Sequence, residues 1–90
     1  MKIETSAGKT MDAAGIVAVP LRGKAQLMIT LPAGTQLAEA VQALDGLEWI
    51  KAEGREAGVT TTYEGYSRVR TVSRADDGGV RVMLERGKGE

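Results

Sequence analysis

The sequence predicts an α+β domain: a mostly antiparallel sheet of five or six strands with one helix packed on one face. Three observations predict it. Several short β-branched or alternating segments are separated by glycine- and proline-bearing turns. A single stretch has helical periodicity. The chain ends in an Asp-Gly hairpin signal between two strand-like runs. In 90 residues these make one domain, which we place at residues 1–86, with a flexible tail at 87–90.

The elements follow in order. Residues 2–5 read as a short first strand and 6–9, Ser-Ala-Gly-Lys, as a turn. Residues 10–14 fit no single pattern. The apolar run at 15–19, closed by Pro20, reads as a strand, and 20–23 as a connector. Residues 25–31 alternate, with Ala25, Leu27, Ile29 and Leu31 on one face and Gln26, Met28 and Thr30 on the other. Residues 35–44 form the helix. Thr35 is its N-cap, Leu37, Ala40, Val41 and Leu44 are its apolar face, and Asp45-Gly46 is its stop. Val41 is the centre of that face as the spacing gives it. A short strand at 47–51 carries Trp49, and 52–58 is a polar loop.

Residues 59–86 read as a β-meander on which the other elements pack. Asp77-Gly78 suits a two-residue type I′ turn. That turn opposes Arg74 to Arg81, Val72 to Met83, Thr71 to Leu84 and Arg70 to Glu85. Directly opposed residues share a face. One face then holds Val69, Thr71, Ser73, Val80, Val82 and Leu84, and we expect it to be buried. The other holds Arg68, Arg70, Arg74, Arg81 and Glu85, with Val72 and Met83 between them. Gly65, between Tyr63 and Tyr66, marks a bulge or a strand break.

Composition excludes several kinds of chemistry. The chain has no Cys, so neither a disulfide framework nor a thiolate site is available. It has no His, which removes the commonest metal ligand and general base. The formal net charge is zero and the pI about 6.3, which argues against a general polyanion binder. No apolar run approaches the roughly 20 residues of a membrane span. The N-terminus lacks the apolar core of a signal peptide, so we expect a cytoplasmic or virion-associated protein. No repeat or linker is visible in the sequence.

The remaining signals are weighed as chemistry. Gly8-Lys9-Thr10 ends like a phosphate-binding loop, but the first glycine of that motif would stand where Ile3 is, and no long helix follows. A hairpin turn is the better reading. Glu53, Glu56, Glu64, Asp76 and Asp77 fit no calcium-loop spacing. Trp49, Tyr63 and Tyr66 could stack a sugar, but with only three aromatics in the chain we expect Trp49 and at least one Tyr to fill the core beneath the helix. Arg68, Arg70, Arg74 and Arg81, with Tyr66 on the same side as Arg68 if no bulge intervenes, form the one candidate binding set, although a solvated sheet face is the better reading of such a stripe. The set suits an acidic protein better than nucleic acid. No catalytic residue, cofactor or metal site is assigned.

The C-terminal pattern, residues 61–86, carries a Tyr-Glu-Gly-Tyr step, a β-branched strand, a glycine turn and a closing Val80-Arg81-Val82-Met83-Leu84 strand. With Trp49 ahead of it, this pattern resembles small uncharacterised proteins encoded in bacterial prophages, near tail genes. The resemblance implies a phage-associated structural or accessory role and carries over no catalytic residue. We therefore expect a non-enzymatic structural or protein-interaction module that self-associates or binds another protein. The alternative is a module that holds a ligand, sugar or nucleic acid on the arginine-bearing face.

Overall fold

The computed structural model describes residues 1–53 and 59–86. Among these residues are eight strands, more than the five or six expected, and one helix. The strands are β1 (Lys2–Thr5), β2 (Thr10–Asp12), β3 (Gly15–Leu21), β4 (Lys24–Leu31), β5 (Trp49–Glu53), β6 (Thr60–Glu64), β7 (Arg68–Arg74) and β8 (Val80–Glu85). The helix α1 (Leu37–Leu44) lies between β4 and β5. The strands form two antiparallel sheets rather than one, in the orders β2-β1-β5-β6 and β3-β4-β8-β7.

The predicted meander is divided between the two sheets. β6 pairs with β5, whereas β7 pairs with β8. The chain changes sheets at residues 65–67, and it makes the same kind of crossing at 13–14 between β2 and β3. At the latter the Ala14 N–H donates to the Thr30 carbonyl at 2.7 Å. The topology is repeated although the sequence is not. Exchanging β1–β4 with β5–β8 maps both strand orders onto themselves, with β1 against β5 and β4 against β8 joining the halves.

Each sheet contributes one face to a single core. Ile3, Ile50 and Ala52 come from the first sheet, and Leu27, Ile29, Leu31, Val80, Val82 and Leu84 from the second. The strict alternation read in residues 25–31 is present from Leu27 to Leu31. Burying each of these side chains other than Ala52 is worth about 1.5–3 kcal/mol before the ordering costs.

The helix packs along β7 and β8. It begins at Leu37, two residues later than expected. The Thr35 hydroxyl donates back to the Pro32 carbonyl at 2.9 Å instead of capping, and Gln36 holds the N-cap position without a side-chain bond. Ala40 and Leu44 are its buried residues, Val41 is half-buried, and Leu37 is 37% exposed. The core-facing stripe is therefore centred on Ala40, not on Val41. At the other end the Asp45 carboxylate accepts from the Val69 N–H at 3.1 Å, and the Gly46 N–H donates to the Ser67 carbonyl at 2.7 Å. The residues read as a helix stop thus also tie the helix to the start of β7.

Two hairpins are closed by one device. The Gly78 N–H donates to the Ala75 carbonyl at 3.0 Å, and the Ala75 N–H donates to the Gly79 carbonyl at 2.7 Å. The β1–β2 hairpin has the same pair of bonds, Gly8 to Thr5 at 2.9 Å and Thr5 to Lys9 at 2.8 Å. Each is a three-residue loop, a type I turn followed by a glycine at positive φ, +90° at Gly78 and +82° at Gly8. The Gly-Lys-Thr stretch is accordingly a hairpin turn. A two-residue type I′ turn does occur, but at Arg22-Gly23 between β3 and β4, with φ of 54° and 78°. The expected connector at 20–23 is that turn plus the end of β3. Pro20 is tolerated there because β3 is an edge strand.

The three-residue loop moves the last hairpin by one residue from the expected register. The pairs are Arg74 with Val80, Ser73 with Arg81, Val72 with Val82 and Thr71 with Met83. A bulge between Val69 and Thr71 then shifts the ladder again, so that Val69 opposes Leu84 and Arg68 opposes Glu85. As a result Val69 and Val72, three residues apart, both pack on the core, while Thr71 and Ser73 are exposed. The β8 half of the expected buried face stands, and the Thr71 and Ser73 part of it does not. The remaining departures are small. β5 runs on through Ala52 and Glu53, while the rest of the expected polar loop and the tail at 87–90 lie outside the described residues.

Candidate interaction face

The outer face of the β3-β4-β8-β7 sheet follows from the register. Directly opposed residues share a face, and the inner face is fixed by Leu27, Ile29, Val82 and Leu84, so the residues between them lie on the outer face, where Gln26 is nonetheless covered by its neighbours to 2% exposure. Three rows cross all four strands. The first is Gly15, Thr30, Arg81 and Ser73; the middle is Val17, Met28, Met83 and Thr71; the third is Val19, Gln26, Glu85 and Arg68.

The middle row is apolar for three of its four positions. Val17 is 51% exposed, and Met28 and Met83 are half-buried by their neighbours. Charge sits on both sides of this row. Arg81 is exposed in the first row. In the third, Arg68 donates to the Glu85 carboxylate at 3.2 Å. The Arg68 side chain is 61% exposed, so the pair adds on the order of 0–1 kcal/mol to stability and mainly fixes where the charges lie.

The candidate binding set of the sequence is dispersed by this geometry. Arg68 and Arg81 remain on the outer face, two rows apart. Arg70 sits at the bulge, outside the ladder. Arg74 opposes the core residue Val80, and its guanidinium donates to the Gly78 carbonyl at 3.0 Å and the Thr35 carbonyl at 3.5 Å, linking the closing turn to the approach of the helix. The expected Arg70–Glu85 pair is replaced by Arg68–Glu85, and Arg74 no longer opposes Arg81. Tyr66 does not stand beside Arg68. It is 7% exposed and belongs to the core, edge-on to Tyr63 at 6.5 Å between ring centroids, with the Arg86 guanidinium 4.9 Å above its ring.

The other candidates are also separated. Trp49 does not fill the core. It points to the outer face of the first sheet, half-buried, with the Lys51 ammonium 5.0 Å from its ring centroid. The core beneath the helix is left to aliphatic residues and Tyr66. Asp77 is used within its own turn, accepting from the Gly79 N–H at 2.9 Å. Among the described residues no three His, Cys, Asp or Glu side chains gather as a metal site, and Glu56 lies outside those residues. No described helix is long and apolar enough to cross a membrane.

Two of the residues that matter on this face were visible in the sequence only as outward-pointing members of alternating strands. Met28 and Met83 occupy positions where a solvated sheet face ordinarily carries polar side chains. That departure is the signal that marks them. Comparison with family models, with curated proteins and with solved structures finds no match to the chain.

Proposed function

We propose that the chain is a non-enzymatic protein-interaction module that docks through the outer face of the β3-β4-β8-β7 sheet, and that it serves as a structural or accessory component of a phage or prophage. One observation carries the docking role: the Val17–Met28–Met83 row crosses a face that no described element covers, with charged residues to either side. Apolar centres rimmed by polar residues are characteristic of protein interfaces, and methionine and arginine are enriched in them. The phage setting is supported by the resemblance of residues 61–86 to prophage-encoded proteins. The reading as a ligand, sugar or nucleic-acid module has less behind it, because Tyr66 is buried and Arg74 is engaged with backbone carbonyls.

Met83→Lys tests this. Lysine at a half-buried position on a sheet face should change stability by no more than about 0.5–1 kcal/mol. It places a charge in the middle of the docking row. The wild type, alone and co-expressed with the products of the genes flanking its own, is expected to form at least one stable assembly by size exclusion with light scattering. Met83→Lys should fold with an unchanged far-ultraviolet spectrum and form none. The reading fails if the variant assembles as the wild type does, or if the wild type forms no assembly under either condition.

A further inference from the structure

We infer that the occupant of this face is a second copy of the same chain, packed face to face about a two-fold axis that runs across the strands along the Val17–Met28–Met83–Thr71 row. This rests on the reading of the face as a docking surface and adds the identity of the partner.

The inference comes from how the three rows map onto themselves. A two-fold axis lying along the middle row sets each strand over its own copy and exchanges the first row with the third. Met83 then meets Met83 of the second copy, and Met28 meets Met28. Arg81 is brought over Glu85 of the second copy, twice by symmetry, because both residues belong to β8 at equal distances from the axis. Val19 is brought over Gly15, where there is no side chain to compete for the space. Uncharged Thr30 is brought over Gln26, which is buried within its own chain and sets no charge or bulk against it. A two-fold axis along the strands would instead set Arg81 over Thr30 and Glu85 over Gln26, leaving the charges unmatched. Isologous contacts require a self-complementary patch, and the first arrangement supplies one.

Glu85 can serve both arginines. A carboxylate has two oxygens and can accept from Arg68 within its own chain and from Arg81 across the interface. Arg68 then orients the acceptor that Arg81 of the second copy reaches. Sheets packed in this way lie about 10 Å apart, with their strands within about 30° of alignment. Strand and residue spacings make the face roughly 19 by 20 Å. Two such faces bury about 760 Å² together, below the roughly 1,200 Å² of standard specific interfaces, so the dimer belongs to the weak, transient class and should dissociate on the order of 100 µM.

The experiment uses three chains followed by sedimentation equilibrium up to about 500 µM, several-fold above that value. The wild type should dimerise. Arg81→Glu sets a second carboxylate against Glu85 at both ends of the interface and should weaken the dimer by about tenfold or more. The triple variant Arg68→Glu, Arg81→Glu, Glu85→Arg inverts every charge in the three rows. It preserves the intrachain pair and the interchain pair, so it should dimerise as the wild type does. Mixed dimers of wild type with the triple variant set like charges together and should be absent when one chain carries a fluorophore. Thermal melts establish that each variant is folded. A monomeric wild type, a wild-type-like Arg81→Glu dimer, a monomeric but folded triple variant, or free mixing of the two chains would each overturn the inference. If the wild type is monomeric but Met83→Lys still abolishes an assembly with a flanking gene product, the second copy is the wrong occupant and the docking face stands. If Met83→Lys abolishes nothing, both fall together.

Discussion

Leu44→Ala is expected to lower the unfolding free energy by about 2–5 kcal/mol, while Leu37→Ala, seven residues earlier on the same periodic stripe, should cost only about 1 kcal/mol. Leu44 is fully buried at the end of α1 that is tied to β7, and Leu37 is 37% exposed at the other. Removing the Leu44 side chain leaves a hole between the helix and the sheet of β7 and β8, which close packing prevents from collapsing fully. Truncating Leu37 opens onto solvent. At a stability of about 5–15 kcal/mol for a native domain, the Leu44 loss is a large fraction of the total. Urea denaturation followed by circular dichroism measures both values. Equal losses at the two positions would mean that the helix buries its whole apolar stripe and that Ala40 is not its centre.

The helix shows how far periodicity reaches. The 3.6-residue spacing located α1 and its apolar stripe correctly, since Leu37, Ala40, Val41 and Leu44 do share a side. It could not say which of them the sheet covers, because that depends on where β7 and β8 lie. The strands at the centre of the second sheet were legible for a similar reason. From Leu27 to Leu31 in β4, and along β8, one face is completely buried, so the alternation there is strict. The edge strand β7 departs from the register its sequence suggests in two steps. Gly78 satisfies the positive φ of a two-residue type I′ turn and equally that of a three-residue loop, and the two differ by one residue in register. A one-residue difference inverts a strand's faces. The second step had a trace in the sequence. Val69 and Val72 are the β-branched apolar residues of β7, three apart, and a regular strand cannot bury both. Either the bulge exists or one valine faces water. The awkward opposition of Arg74 to Arg81 in a two-residue turn is the trace of the first step, the loop length.

The candidate site was less legible than the fold. Arg68, Arg70, Arg74 and Arg81 share a face only in a register that the loop overrides, and Tyr66 joins them only if β6 runs straight into β7. The chain instead turns at Gly65 into the other sheet, which carries Tyr66 into the core. Nothing local distinguishes a strand that breaks to change sheets from one that bulges within a sheet. Met28 and Met83 could be placed on an outward face from alternation alone. That they are neighbours, in line with Val17, follows only from the pairing of β3, β4 and β8. The same pairing accounts for the doubled topology, which has no trace as a sequence repeat. The β1–β2 hairpin closes through Gly8, and the β3–β4 hairpin through Arg22-Gly23, so even successive hairpins of one half use different turn chemistry.

Gly79→Ala should destabilise the domain by about 1–3 kcal/mol, although Gly79 is not the glycine that shapes the turn. Its φ is not in the left-handed region, so alanine meets no backbone strain there. The obstacle is steric. A methyl group at Gly79 would lie 2.7 Å from the Leu31 carbonyl oxygen and 3.2 Å from the Asp77 carboxylate. The first is backbone of the neighbouring strand and can yield only if β4 and β8 move apart where Leu31 pairs with Val80, beside two buried side chains. Gly78 presents the opposite case. Its added methyl would meet Ala33 at 3.6 Å, an ordinary contact, but its φ of +90° penalises any residue with a β-carbon. Gly78→Ala should therefore cost about 1–2 kcal/mol, and Gly78→Asn noticeably less, because asparagine tolerates positive φ. Thermal and urea unfolding of Gly79→Ala, Gly79→Asn, Gly78→Ala and Gly78→Asn separate the two causes. Asparagine should relieve the loss at 78 and deepen it at 79, where the larger side chain meets the same carbonyl. Relief by asparagine at both positions would mean that Gly79 is held by backbone conformation, and that β4 does not approach the turn as closely as Leu31 does here.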